Sequence, residues 1–158
     1  MVFSIAYHFL RERSAAEEVA QDVFLQFHRR FDDFRPGPDR EKHISHWLRK
    51  VASHRCIDYV RKQRTQPASG LAVSLEDAPP PSVAGEPADH FLNQRLESLI
   101  ASLPEKPRMV LILRYQEDLM PEEIASLLDM PVRTVKSHLQ RSLEMLREKI
   151  GRSMGNIR

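Results

Sequence analysis

Several side-chain groups in this chain of 158 residues have the types and spacing to do chemistry. His43, His46, His54 and Cys56 are metal-ligand types, and imidazole with thiolate suits zinc. His54 and Cys56 are two residues apart, so on a helix they point about 200° apart, and one metal cannot use both. No metal or cofactor is expected. Serines, histidines and aspartates are scattered through the chain, but none forms a nucleophile elbow. No glycine-rich phosphate loop is present either, so no enzyme activity is expected. Two further runs suit nucleic acid. Trp47-Leu-Arg-Lys-Val-Ala-Ser-His-Arg-Cys-Ile-Asp-Tyr-Val-Arg-Lys-Gln-Arg64 interleaves aromatics with cations. Cations hold a phosphate backbone, and aromatic faces support unstacked bases.

The second run, Pro121 to Gln140, has the anatomy of a helix-turn-helix. Pro121 suits a first helical position. Ile124 and Leu128 face a partner helix, and Ala125 is small enough for a close crossing. Asp129 falls in the turn, where a left-handed conformation is required and Asp is one of the few residues besides Gly to tolerate it. Val135 and Leu139 return the second helix to the core. The remaining faces carry Arg133, Thr134, Lys136, Ser137, His138, Gln140 and Arg141. A helix so equipped enters the major groove with its first turns towards base edges and its cations towards phosphates.

These runs must be held by surrounding elements, and the apolar pattern predicts helices throughout. Phe3, Ala6, Tyr7 and Leu10 mark the first, and Val19, Val23, Phe24, Phe27 and Phe31 the second. Ser14 with Glu17 reads as a capping box, and Arg35-Pro-Gly-Pro38 as the stop. A third helix is expected from about Ile44 to Gln63, with Ile44, Trp47, Leu48, Val51, Ala52 and Tyr59 near one face. Further helices are expected over Phe91–Leu103, Pro107–Glu117, Glu122–Leu128 and Val132–Ile150. Residues 66–89, rich in Pro, Ser and Gly, read as an extended linker. The fold expected is all-α, with small helical domains over residues 1–65 and 90–152 and a tail over 153–158.

The net charge of +2 is uninformative, but its distribution is not. Residues 1–66 carry 13 Lys and Arg against nine acids; residues 67–100 carry one against five; residues 101–158 carry ten against eight. Two basic segments flank an acidic connector, as expected of a polyanion binder. A single cysteine allows no intrachain disulfide and points to a reducing compartment. Met1–Leu10 is apolar but too short to span a bilayer and lacks a basic leader, so a cytoplasmic protein without membrane insertion is expected.

With these residues in view, the chain resembles bacterial sigma factors of the extracytoplasmic-function group, within the sigma-70 family. Three motifs carry the resemblance: Ala16-Glu-Glu-Val-Ala-Gln-Asp-Val-Phe24, Trp47-Leu48 through Ile57-Asp-Tyr-Val-Arg61, and Leu103-Pro-Glu105 through Leu111-Ile-Leu-Arg-Tyr115 to Thr134-Val-Lys-Ser137. The resemblance implies that Glu18, Gln21 and Asp22 dock on core RNA polymerase. It implies that the loop from Phe34 to His46 captures a flipped base of the −10 element, with Trp47, His54, Arg55, Asp58 and Arg61 on the melting helix beside it. Arg133, Thr134, Lys136, Ser137, His138 and Arg141 would read the −35 element. The two DNA-reading surfaces would be exposed in the free chain, and an anti-sigma factor would clamp them. The linker would let the two domains reach separate promoter sites.

The chain departs from the family pattern before Phe3, where the first stretch is short. It departs again in the long Pro-rich loop Arg35–His46 with Ile44 in place of an aromatic, at His54 in place of Asn, and at Pro131 in place of a capping Ser or Thr. Two other readings stand beside this one. A stand-alone helix-turn-helix regulator would need neither the acidic helix nor the basic aromatic helix. A sigma-like decoy would bind an anti-sigma factor and never DNA.

Overall fold

The computed structural model describes residues 1–66 and 87–155 of the protein. Its elements are α1 (Val2–Leu10), α2 (Arg13–Arg29), a short 3₁₀ turn (Phe31–Asp33), α3 (Arg40–Thr65), α4 (Pro87–Ala101), α5 (Glu105–Tyr115), α6 (Pro121–Leu128) and α7 (Val132–Gly155). Among the described residues there is no strand, in keeping with the all-α expectation. No helix among them is long and apolar enough to cross a membrane. Pro67–Glu86, most of the stretch read as a linker, lies outside the described residues, as does the end of the tail from Asn156. Helix α4 begins at Pro87, inside the 66–89 stretch expected to be linker, and α7 runs to Gly155, inside the 153–158 stretch expected to be tail.

Apolar spacing explains α1: Val2, Ile5, Ala6 and Phe9 lie on one stripe and are buried. The helix therefore packs fully despite the short stretch before Phe3. It ends at Arg11, in the left-handed region with φ 60°. The start of α2 differs from the capping box read at Ser14. Glu12 is the cap, and its carboxylate accepts from the backbone N–H of Ser14 (2.9 Å) and Ala15 (2.8 Å). Glu17 pairs instead with Arg13 at 2.9 Å. An extended Glu12 reaches two of the unpaired N–H groups at once, so the local competition goes to it. The Ser14 hydroxyl bond, with the two backbone bonds, holds the Glu12 carboxyl below its ordinary range.

Small residues on α2 (Ala15, Ala16, Ala20, with Val19 and Val23) are buried and let α1 approach closely. Phe24 and Phe31 were expected to continue this stripe, but both are exposed. Phe24 is one residue beyond Val23 and so about 100° off the buried face, and Phe31 lies past the helix end. That end is Arg29, several residues before the Pro-Gly-Pro stop.

Helix α3 is longer than its apolar pattern suggests. It starts at Arg40, four residues before the start expected at Ile44, so the last part of the loop that the resemblance implies, residues 40–46, forms its first turns. Nothing apolar precedes Ile44, but Glu41 favours a helix N-terminus, where the macrodipole is positive. Leu48, Ala52, Ser53, Cys56 and Ile57 face inwards. Burial pushes the Cys56 thiol up to about 12, so it is a small core group without thiolate character.

In the C-terminal half, α5 runs through the centre, with Met109 to Leu113 all buried. Pro121 opens α6, and the Glu123 carboxylate accepts from the Met120 N–H at 2.8 Å. Asp129 adopts the left-handed conformation (φ 50°, ψ 47°) expected of the turn. Pro131 supplies no side-chain cap to α7. Its carbonyl accepts from the N–H groups of Thr134 (2.9 Å) and Val135 (3.2 Å), so the helix starts without one. Leu103, Leu111 and Leu146 form a satellite cluster with Leu99, Ile100 and Leu143, which seats α4 on α5 and α7. The main core does not stop at the boundary between the halves. One cluster of buried residues runs from Val2 through Ile57 to Met109, Ile124 and Val135. Helices α1 and α3 pack directly on α5 and α6.

Candidate nucleic-acid interface

Helix α7 presents the polar face that its sequence promised. Val135 is fully buried and Leu139 packs against the core, which fixes the azimuth of the helix. Arg133, Lys136, Gln140 and Arg141 are then exposed, with Thr134, Ser137 and His138 half-buried beside them. Lys136 is the one recognition-face cation with an ion-pair partner among the described residues, Glu122 at 3.6 Å, and both are well exposed. Gln140 donates to Glu144 at 3.0 Å. Burial, with the charges of Lys106 and Arg141, lowers the His138 imidazole below its ordinary value. At neutral pH this ring offers one donor and one acceptor rather than a charge, which suits a base edge better than a phosphate.

The basic aromatic run is divided by the fold into three surroundings. At its start Trp47 joins an aromatic cluster, with ring centroids 6.0 Å from Phe27 and 5.8 Å from Phe34. Phe27 also meets Phe31 at 5.6 Å, and the Arg40 guanidinium lies 4.8 Å from the Phe31 centroid. This cluster props the segment Asp33–Asp39, which with Arg40 and His43 lines an open cleft of about 470 Å³. Further along, Arg55, Asp58, Tyr59 and Lys62 line a second cleft of about 250 Å³, whose opposite wall is Glu18, Val19 and Asp22 of α2. Arg55 and Asp58 thus share a groove with two of the three expected docking residues. Glu18, Gln21 and Asp22 are all exposed.

The third group faces the C-terminal half. Arg49 pairs with Glu117 at 3.2 Å, and Lys50 with Asp129 at 2.8 Å. His54 Nε2 lies 2.9 Å from the Leu127 carbonyl and 3.5 Å from Asp129. Arg61 and Arg64 both reach Glu105, at 3.4 and 3.1 Å. On the other side of the interface Arg11 meets Glu97 at 2.5 Å, and Arg108 donates to the Phe9 carbonyl at 3.2 Å while lying 5.0 Å from the Phe9 ring. The Lys50 bond holds the Asp129 carboxyl below its ordinary range. Glu105 is lowered first by its own backbone N–H at the head of α5, then by Arg61 and Arg64.

The expectation that both DNA-reading surfaces stand open in the free chain therefore needs correction. The α7 surface is open. On α3, His54 and Arg61 are engaged by the C-terminal half, while Arg55 and Asp58 make no such pair among the described residues. Arg49, Lys50 and Arg64 were read only as part of a basic face, and their acidic partners were not identified. The signal was absent locally, because these pairs join residues 41 to 79 positions apart.

Comparison with known proteins fits this geometry. The family model for sigma-70 region 2 matches residues 1–66, and that for sigma-70 region 4 matches residues 93–146. The chain is 28% identical over 160 residues to the ECF RNA polymerase sigma factor SigW of Bacillus subtilis, covering 94% of this chain and 82% of that one. It is 30% identical over 142 residues to the ECF RNA polymerase sigma-E factor of Escherichia coli, covering 84% and 72%. Among solved structures, the sigma factor RpoE of Bartonella quintana, in complex with the anti-sigma factor NepR, superposes with a TM-score of 0.74. That match covers 95% of this chain and 89% of that one at 20% identity, a likeness of fold.

Proposed function

The chain belongs to the extracytoplasmic-function group of the sigma-70 family, and from that premise we propose that it directs core RNA polymerase to promoters. The observation that carries this reading is the succession in one chain of a region 2 unit and a region 4 unit, each with a polar or cationic face exposed. In our reading, Arg133, Thr134, Lys136, Ser137, His138 and Arg141 contact the −35 duplex. The cations hold phosphates, and the neutral His138 imidazole with the Ser and Thr hydroxyls reaches base edges. The cleft formed by Asp33–Asp39 takes an extruded base of the −10 element. Flipping costs a few kcal/mol and is favoured where the extruded base finds a surface. Trp47 holds that cleft in shape from below, and Arg55, Asp58, His54 and Arg61 guide the separating strand. Glu18, Gln21 and Asp22 dock on core polymerase, and the segment between the units spans the distance between the two promoter elements. The chain works in the cytoplasm, where polymerase and promoter are, and no bond-making step is assigned to it. An anti-sigma factor is its natural regulator, since covering these faces would prevent all three contacts.

The test is transcription in vitro with purified core polymerase on a library of promoter fragments. A family of start sites that requires this chain is the expected result. Failure to bind core polymerase at any salt concentration would leave the stand-alone regulator as the better reading.

A further inference from the structure

The cleft at the head of α3, lined by Asp33–Arg40 and His43, is open over about 470 Å³. A base that enters it needs a flat surface to stack on. Among the lining residues Phe34 is the one phenyl ring, and it is already engaged, with centroids 5.6 Å from Phe27 and 5.8 Å from Trp47. Ile44 packs against the core and offers no ring. His43 is exposed. The planar group held in place is the Arg40 guanidinium, 4.8 Å from the Phe31 centroid. Phe31 is held in turn by Phe27, edge to face at 5.6 Å and 87°. Arg40 is half-buried, and its Nε is buried with no hydrogen-bond partner among the described residues. Buried polar groups are nearly always bonded, so one that is not calls for a reason. A guanidinium laid over a ring gives its faces to stacking, and its Nε is then screened. The acids of the lining have other partners: Asp33 pairs with Arg30 at 2.9 Å, and Asp39 with Lys42 at 3.7 Å.

We propose that Arg40, backed by Phe31, is the platform on which an unpaired base stacks when a single strand enters this cleft. The order is ring, guanidinium, base. Phe31 seats one face of the guanidinium and leaves the other to the ligand. Guanidinium planes stack on bases, and the charge attracts the π face of a base as it does that of Phe31. Arg40 therefore acts on the face of the base and reads no edge. The assignment rests on the reading of this cleft as a base pocket. A cation that held only a phosphate would behave differently, since lysine would serve as well and its loss would flatten the salt dependence.

In the experiment the full chain selects a strand from a random library of short single-stranded oligodeoxynucleotides, alone and with core polymerase added. Fluorescence anisotropy then reads affinity for the unaltered chain, Arg40→Ala, Arg40→Lys, Phe31→Ala and Phe31→Tyr, and circular dichroism reads helicity. The platform predicts a loss of about tenfold for Arg40→Ala and Arg40→Lys alike. Phe31→Ala should lose part of that factor and Phe31→Tyr none of it. The slope of log affinity against log salt should stay unchanged. Abasic sites placed one by one along the strand should reveal a position whose loss weakens the unaltered chain by a similar factor and leaves Arg40→Ala unaffected. If Arg40→Lys retains affinity while Arg40→Ala loses slope, Arg40 belongs to a phosphate and the platform is overturned. A base effect that survives in Arg40→Ala, unchanged affinity of Phe31→Ala, or failure to select any strand overturns it equally. Should a Phe31 variant lose helicity, the two Arg40 variants and the abasic scan decide. A chain that selects a strand alone and never binds core polymerase loses the promoter reading and keeps the platform. A chain that binds core polymerase but fails the abasic test loses the platform alone.

Discussion

Helices α3 and α7 carry similar side chains, yet the fold treats them differently. Both are long, both hide one apolar stripe, and both present Arg, Lys and His on the remaining surface. On α7 three neighbours, α4, α5 and α6, cover the apolar stripe and stop there, so the cations face solvent. On α3 the cover comes from α1 and α2 on one side and from the C-terminal half on the other, and the latter brings acids with it. The difference teaches that a basic helix is a DNA surface only where no acid of its own chain reaches it first. It also leaves the two helices in different states: the α7 cations face solvent, whereas Arg49, Lys50, His54, Arg61 and Arg64 of α3 have partners in the C-terminal half.

The largest test of this comparison concerns the seat of α7. Ile124 is fully buried beneath the helix-turn-helix. Ile124→Ala should lower the unfolding free energy by about 2–5 kcal/mol and abolish duplex binding, read by denaturant titration and by fluorescence anisotropy on a duplex selected from a random library. Duplex affinity that survives unchanged would mean that α6 does not orient α7.

Next in size are the exposed arginines. Arg133→Ala and Arg141→Ala should each weaken duplex binding by about 1–3 kcal/mol if they reach base edges, whereas Lys50→Ala and Arg64→Ala on α3 should not weaken it. The comparison breaks if the α3 pair costs as much as the α7 pair. Lys136→Ala should have a smaller effect that is independent of sequence. It should flatten the dependence of log affinity on log salt by about one phosphate contact. An unchanged slope would assign Lys136 to Glu122 rather than to DNA.

The smallest effect is one of pH. The Asp129 and Glu105 carboxyls are held below their ordinary range in the closed chain. Their contribution is therefore complete above the ordinary carboxylate pKa, and it is lost as pH falls through the lowered values on the acid side of it. Scattering followed from neutral to acid pH should show the chain opening in that window. Asp129→Asn should already be looser at neutral pH and show less acid dependence than the unaltered chain.

The helices were legible because each buries a stripe that repeats at helical spacing, as Ile5, Ala6 and Phe9 do on α1 and Ile124, Val135 and Leu139 do around the turn. Asp129 was legible because few residues tolerate its left-handed backbone. Helix ends were less so. Glu12 outcompetes Ser14 as a cap through a reach that no residue preference encodes, and the start of α3 carries no apolar mark. Phe24 and Phe31 fitted the spacing loosely and proved to lie outside.

What the sequence by itself determined is therefore local: the all-α class, the helix-turn-helix, the polar face of α7 and the family motifs, all set by periodicity and by residue types at short spacing. Only the tertiary structure decided which cations remain available. Arg49, Lys50, His54, Arg61 and Arg64 meet partners that lie far along the chain, and the charge of Glu105, Glu117 or Asp129 looks in sequence like any solvated acid. Their meeting depends on how the buried cluster shared by α1, α3, α5 and α6 sets one half upon the other. That is a property of packing, which no local spacing records.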